Sequence, residues 1–161
     1  MAATNRRLAI VLVVASVAWP VLLASATWPQ AVGRPAAWSA VVYLAASRVC
    51  HQLPERSFHT AGVQWPVCGR CSGLYLAAPL GALAGVLVSA RRLPDRRAVV
   101  GLTAAALPAL VTFGLEHLTT VPVGNVTRLL TALPLGAAGA CVIVRVAAGG
   151  HGGTIEYTHR P

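Results

Sequence analysis

The residues best suited to chemistry form two short motifs, Cys50-His51 and Cys68-x-x-Cys71. Together they supply three sulfurs and one imidazole, which is a ligand set of tetrahedral zinc. Glycine inside the second motif lets backbone amides turn toward sulfur, and Arg70 beside it favours thiolate over thiol. We therefore predict a metal site formed by Cys50, His51, Cys68 and Cys71. Zinc is the default ion, and ligand type alone leaves copper or iron open.

The fourth ligand is the least determined member of this set. Neighbours on a regular helix point about 100° apart, so Cys50 and His51 can reach one ion only at a helix end. Pro54 is consistent with such an end. His59 or His117 could take the place of His51.

The same thiols could instead carry redox chemistry. Thiols outside the cytoplasm tend to be oxidised, so Cys68 could pair with Cys71 or with Cys50. An outward thiol pair at the mouth of a four-helix bundle is also similar, as a fold-level analogy, to membrane disulfide-generating enzymes that reduce quinone. The sequence contains no hydrolase triad, Walker loop or H-E-x-x-H pattern, so enzymatic activity is not indicated.

Several polar residues accompany the cysteines. Arg56 and Ser57 lie between the two motifs and could bind an anion or orient a ligand. Others fall near the end of an apolar segment, where ionisable groups are costly, or just after the loop that follows it: Glu116, His117, Asn125 and Arg128. Either Glu116 and Arg128 form a structural ion pair, or the group lines a polar mouth shared with the cysteine loop.

Composition places these residues in a membrane protein. Hydrophobic residues make up 56% of the 161 residues and charged residues 11%, against about 25% charged in soluble domains. The net charge of +9 comes from arginines scattered between apolar segments. This pattern is typical of membrane anchoring, and it gives no basic face for nucleic acid.

The apolar segments predict an all-α, integral membrane helical bundle. Residues 8–26, 72–90, 98–118 and 129–148 approach or reach spanning length, whereas residues 36–49 are short for a crossing. We predict four full spans plus one re-entrant or interfacial helix, with five spans as the alternative. Residues 1–148 then form one bundle with its Cys/His loop at 50–71, followed by a flexible polar tail at 149–161. The first span could also be a cleaved signal peptide.

Arginine placement predicts orientation. The connector at residues 91–97 carries four arginines and should be cytoplasmic, as should Arg6 and Arg7, which puts the cysteine loop outside a cell (inner) membrane. Small residues spaced four apart, Gly81 with Gly85 and Gly136 with Ala140, permit close helix contact in lipid. These faces would permit an oligomer. The lipid bilayer is the expected partner, and the sequence does not identify any protein partner.

The motifs also resemble a known family. The Cys50-His51-Gln52 motif, the Cys68-Gly69-Arg70-Cys71 motif and the residues around them look like the hallmark of an uncharacterised family of prokaryotic membrane proteins, domain of unknown function 2085. The resemblance implies a small helical membrane protein in which the cysteines and His51 act as one unit, and it implies no established activity. It also implies an Asp-Gly pair in the fourth segment, where this chain has Phe113-Gly114.

Overall fold

The structure is a computed structural model that describes residues 3–34, 36–88 and 95–149. Its helices are α1 (Ala3–Ser25), α2 (Trp28–Ala31), α3 (Ala37–Ser47), α4 (Gly69–Val88), α5 (Asp95–Leu118) and α6 (Asn125–Gly149). A 3₁₀ turn at Pro54–Arg56 leads into strands β1 (Ser57–Thr60) and β2 (Val63–Cys68).

Within the described residues, four helices are long and apolar enough to cross a membrane. They are α1 with its extension through α2, then α4, α5 and α6. Helix α3 has 11 residues and spans roughly 16 Å, about half of the hydrocarbon thickness. The predicted integral membrane bundle with four long helices and one short one is confirmed, and the five-span alternative is not supported.

Helices α4 and α6 run parallel and form the centre of the bundle. Gly69 at the start of α4 lies against the backbone of Asn125, and Gly85 near its end lies against the backbone of Cys141. A Cβ added at Gly69 or Gly85 would lie 2.7 Å from a carbonyl oxygen of α6. Close backbone approach therefore explains the small residues of α4.

The small-residue faces of α4 and α6 pack against each other within the chain. Gly81 packs on the backbone of Ala137, and Gly136 packs on the backbone of Leu74. Gly81 and Gly136 therefore serve contacts inside the bundle, and an oligomer formed through small-residue faces stays a prediction.

Helices α1 and α5 complete the bundle and run opposite to α4 and α6. Trp19 of α1 meets Tyr75 of α4 edge to face, with ring centroids 6.1 Å apart. On the other side, the hydroxyls of Thr112 in α5 and Thr131 in α6 lie 3.2 Å apart. Since the chain crosses alternately, the end of α1, the start of α4, the end of α5 and the start of α6 all meet at one end.

At that end α3 and a β-hairpin cover the bundle. The strands pair antiparallel through a two-residue turn, in which Ala61 and Gly62 have φ of 50° and 78°. Positive φ at both positions is what a type I′ hairpin turn requires. The hairpin was not predicted, because the 50–71 segment was expected to be a loop. Of the predicted tail at 149–161, Gly149 ends α6 and residues 150–161 lie outside the described residues. Residues 89–94, which include part of the connector, also lie outside them.

Candidate metal centre

The three cysteines of the two motifs come together from three different elements. Cys50 follows α3, and its N–H donates to the carbonyl of Ala46 at 3.0 Å; Cys68 ends β2, and Cys71 lies in the first turn of α4. Their Sγ atoms all lie within 4.8 Å of one another. Three sulfurs bound tetrahedrally to zinc at about 2.3 Å would lie roughly 3.8 Å apart. The cluster is therefore already near the spacing that one ion requires.

The surroundings of Cys50 favour its thiolate. Cys50 is buried, and the backbone N–H of Cys68 donates to its Sγ at 3.2 Å. Hydrogen bonds from the thiols of Cys68 and Cys71 hold the pKa of Cys50 far below its usual range, and burial opposes them only in part. A thiolate is the form that binds metal ions.

Gln52 fixes the segment that carries Cys50 and His51. Its side-chain amide donates to the carbonyl of Tyr43 at 2.9 Å and to that of Pro66 at 2.8 Å, while Gln64 donates back to the Gln52 carbonyl at 2.6 Å. Gln52 has φ of 51°, a left-handed conformation that costs a non-glycine residue energy. These bonds hold the turn that brings Cys50 against Cys68.

Beside the cysteines, three arginines converge on one carboxylate. The carboxylate oxygens of Glu116 lie 2.6 Å from a guanidinium nitrogen of Arg128, 2.8 Å from one of Arg70 and 3.3 Å from one of Arg56. The side chains of Glu116 and Arg128 are each 9% exposed, Arg70 is 18% exposed and Arg56 is 33% exposed. The predicted Glu116–Arg128 ion pair is present, and it belongs to a larger network.

Asn125 extends this network to the hairpin. Its Oδ1 accepts a hydrogen bond from Arg128 at 2.6 Å, and its Nδ2 donates to the carbonyl of Ser57 at 2.9 Å. Ser57 is buried and its hydroxyl donates to the carbonyl of Leu53. Ser57 thus contributes its backbone carbonyl to the network, while its hydroxyl binds the segment that precedes the hairpin.

A cavity of about 380 Å³ lies between the cysteines and the arginines. Its lining residues are Cys68, Cys71, His51, Leu53, Arg56, Arg70, Phe113, His117 and Arg128. The cavity brings together the cysteine loop and the polar residues of α5 and α6, as the shared-mouth interpretation expects.

Two of the histidines considered as a fourth ligand, His51 and His117, line this cavity, and His59 does not. Among the residues that the structure describes, the ligand group comprises the three cysteines, and His51 is exposed beside them. His117 stacks on Phe113 with centroids 4.0 Å apart and bonds the Phe113 carbonyl, and His59 is exposed on β1. The assignment of His51 as fourth ligand stays a prediction.

Two further residues shape the site without having been predicted. The face of Phe113 lies 5.4 Å from the guanidinium carbon of Arg70, a cation–π distance. Tyr43 of α3 donates its hydroxyl to the Gln64 carbonyl, which ties α3 to β2. An aromatic residue in an apolar segment gives no indication in the sequence that it belongs to a site. Gln52, by contrast, could have been suspected of a role at the site, because it directly follows Cys50-His51.

The comparisons with known proteins agree with this architecture. The family described as "Predicted membrane protein (DUF2085)" matches residues 50–142, which include the cysteines and the Glu116 network. An uncharacterized protein of Methanothermobacter thermautotrophicus is 35% identical over 101 residues, covering 61% of this chain and 86% of that protein.

A second uncharacterized protein, from Methanocaldococcus jannaschii, is 40% identical over 50 residues, which cover 31% of this chain and 30% of that relative. No solved structure gives a significant match. Since the family match covers more than half of the chain and carries both cysteine motifs, the chain belongs to the DUF2085 family of predicted membrane proteins.

Proposed function

We propose that this membrane protein binds one transition-metal ion of the zinc type through Cys50, Cys68 and Cys71. The observation that carries the proposal is the meeting of three sulfurs within 4.8 Å of one another, delivered by α3, β2 and α4. Soft thiolate ligands favour zinc, copper(I) or iron over magnesium or calcium. The ion would join the hairpin to the bundle and close the loop over the bundle end.

The fourth coordination position would face the cavity. Metal sites with four protein ligands are usually structural, whereas sites with an open position admit water or another ligand. His51 lines the cavity and directly follows Cys50 in the sequence, so it is the first protein side chain to consider for this position. We expect His51→Ala to retain metal at near-stoichiometric amounts, because three sulfurs remain. Loss of the ion would instead assign the fourth position to His51.

The decisive experiment is metal analysis of detergent-purified protein. We expect near-stoichiometric metal in the wild type. Cys68→Ser should lose the metal, and trypsin should then cut more readily after Arg56, where the hairpin begins. Cys141→Ser is the matched control, since Cys141 packs beside Gly85, roughly 20 Å along α4 from Cys71. Wild-type protein that contains no metal and is cut after Arg56 at the same rate as Cys68→Ser would overturn the proposal.

Redox chemistry is the second candidate, because the same sulfur spacing leaves little movement before two thiols could bond. Oxidation of Cys68 and Cys71 would form one disulfide and release two protons and two electrons, which a quinone would accept to become a hydroquinone. Intact-mass counting of free thiols with and without added quinone tests this chemistry. Loss of two labelled thiols would favour it, and an unchanged thiol count would exclude it.

We also propose that the cysteine end faces outward from the cell membrane. Arg6 and Arg7 begin α1, and Arg96 and Arg97 begin α5, so these arginines lie at the end opposite to the cysteines. Positive residues stay preferentially on the cytoplasmic side. In metal-stripped Cys141→Ser protein on intact cells, an impermeant maleimide should label the cysteines. If the cysteines are labelled only after the cells are permeabilised, the cysteine end faces the cytoplasm and the proposed orientation is wrong.

A further inference from the structure

We propose that the cavity beside the cysteines binds a small organic carboxylate through its arginines. This inference deepens the proposed function, since it names the ligand class taken by the same site. It starts from an imbalance of charge: Arg56, Arg70 and Arg128 line the cavity, and their shared counterion is Glu116. The complex of a divalent ion with three thiolates has a net charge of one negative unit. Among the described residues that line the cavity or pair with its arginines, one positive charge therefore remains for a ligand to balance.

Unused hydrogen-bond donors point to the same ligand. The Nε atoms of Arg70 and Arg128 are buried, and neither has a hydrogen-bond partner among the described residues. The Arg128 side chain is 9% exposed, so water gives it little compensation. Buried donors of a charged group are costly to leave unpaired, and an oxyanion is the partner that a guanidinium binds best.

The rest of the lining selects a carboxylate over a more highly charged anion. Leu53 and Phe113 give the cavity an apolar wall, which suits a short hydrocarbon or aromatic body. A carboxylate carries the single negative charge that the count leaves over, whereas phosphate carries more at neutral pH. The planar guanidinium fork also matches two carboxylate oxygens.

Calorimetric titration of the full-length, detergent-purified protein tests this inference, with benzoate as the probe. Benzamide is its neutral counterpart of the same shape, and inorganic phosphate is the competing anion. We expect benzoate to bind at least about tenfold more tightly than benzamide, the ratio given by one charge-assisted hydrogen bond. Equal affinities, tighter binding of phosphate, or no binding of benzoate would each overturn the proposal.

Variants separate the arginines from general effects on folding. Arg128→Gln should weaken benzoate binding by about tenfold or more, but it also removes a support of Glu116. Arg56→Gln is therefore included, because Arg56 is the most exposed member of the network, and it should weaken binding severalfold. The control is Arg48→Gln, an exposed arginine outside the cavity lining. An Arg56→Gln protein that binds benzoate as Arg48→Gln does would count against the inference.

The same titration distinguishes this inference from the proposed metal site. Benzoate binding by a protein found to contain no metal would refute the metal proposal and support the arginine site. A metal-loaded protein that does not bind benzoate would leave the metal proposal standing and refute the carboxylate.

Discussion

Replacing Glu116 with glutamine keeps the size of the side chain but removes the negative charge that three arginines share. The carboxylate oxygens lie 2.6 Å from Arg128, 2.8 Å from Arg70 and 3.3 Å from Arg56. After the substitution, three positive charges at one end of the bundle would face a neutral amide. We expect the free energy of unfolding to fall for that reason.

Burial sets the size of this loss. Glu116 and Arg128 are each 9% exposed, and removing one partner of a buried pair costs about 3–5 kcal/mol. Arg56 is 33% exposed, so its pair contributes about 0–1 kcal/mol. Glu116→Gln should therefore cost about 3–5 kcal/mol, which raises the unfolding equilibrium constant more than about a hundredfold. Arg56→Gln should cost about 1 kcal/mol or less.

The assay is equilibrium unfolding of purified protein in mixed detergent micelles with increasing sodium dodecyl sulfate, followed by tryptophan fluorescence. The matched control is Glu55→Gln, because Glu55 is exposed and forms no ion pair among the described residues. Glu116→Gln combined with Arg128→Gln should cost less than the sum of the single changes, because each single change leaves an unpaired charge or acceptor. If Glu116→Gln unfolds like Glu55→Gln, or Arg56→Gln costs as much as Arg128→Gln, the ranking by burial is wrong.

Two further substitutions test the helix contact and the brace of the loop. Gly81→Ala would place a methyl group against the backbone of Ala137 and should lower the free energy of unfolding by about 1–3 kcal/mol in the same assay. Its control is Gly101→Ala, because an added Cβ there has no neighbour within 4 Å, and this change should be neutral or slightly stabilising. Gln52→Ala removes two hydrogen bonds that join α3 to β2 and should cost about 1–3 kcal/mol, with faster trypsin cleavage after Arg56 at the start of the hairpin. An unchanged cleavage rate would show that the turn is stable without these hydrogen bonds.

The fold was largely accessible from sequence because a bilayer sets the length of an apolar helix. The short segment before Cys50 and the four longer ones differ enough in length to separate a covering helix from spanning ones. The hairpin could not be predicted from the sequence. Its strands have four and six residues, and Pro66 within β2 argues against a strand in any local reading. Pairing between the two strands is what stabilises it, and pairing is not a local property.

In the candidate site, too, some contacts could be predicted from the sequence and others could not. The Cys-x-x-Cys spacing is local, so the cysteine cluster could be predicted as one unit. The Glu116–Arg128 pair could be anticipated because a short loop joins α5 to α6. Arg70 and Arg56 reach Glu116 from segments more than 40 residues away along the chain, so their contacts depend on the parallel packing of α4 on α6.

The arginine network and the cysteine cluster are mechanically connected, because both include residues at the open end of the hairpin. Ser57 pairs with Cys68 in the sheet, and its carbonyl accepts the hydrogen bond of Asn125, which in turn holds Arg128. Any change that loosens Glu116 should therefore reach the position of Cys68. Glu116→Gln, which touches no proposed metal ligand, should release metal faster to a chelator than Glu55→Gln does. Equal release rates would mean that the hairpin holds the cysteines independently of the network.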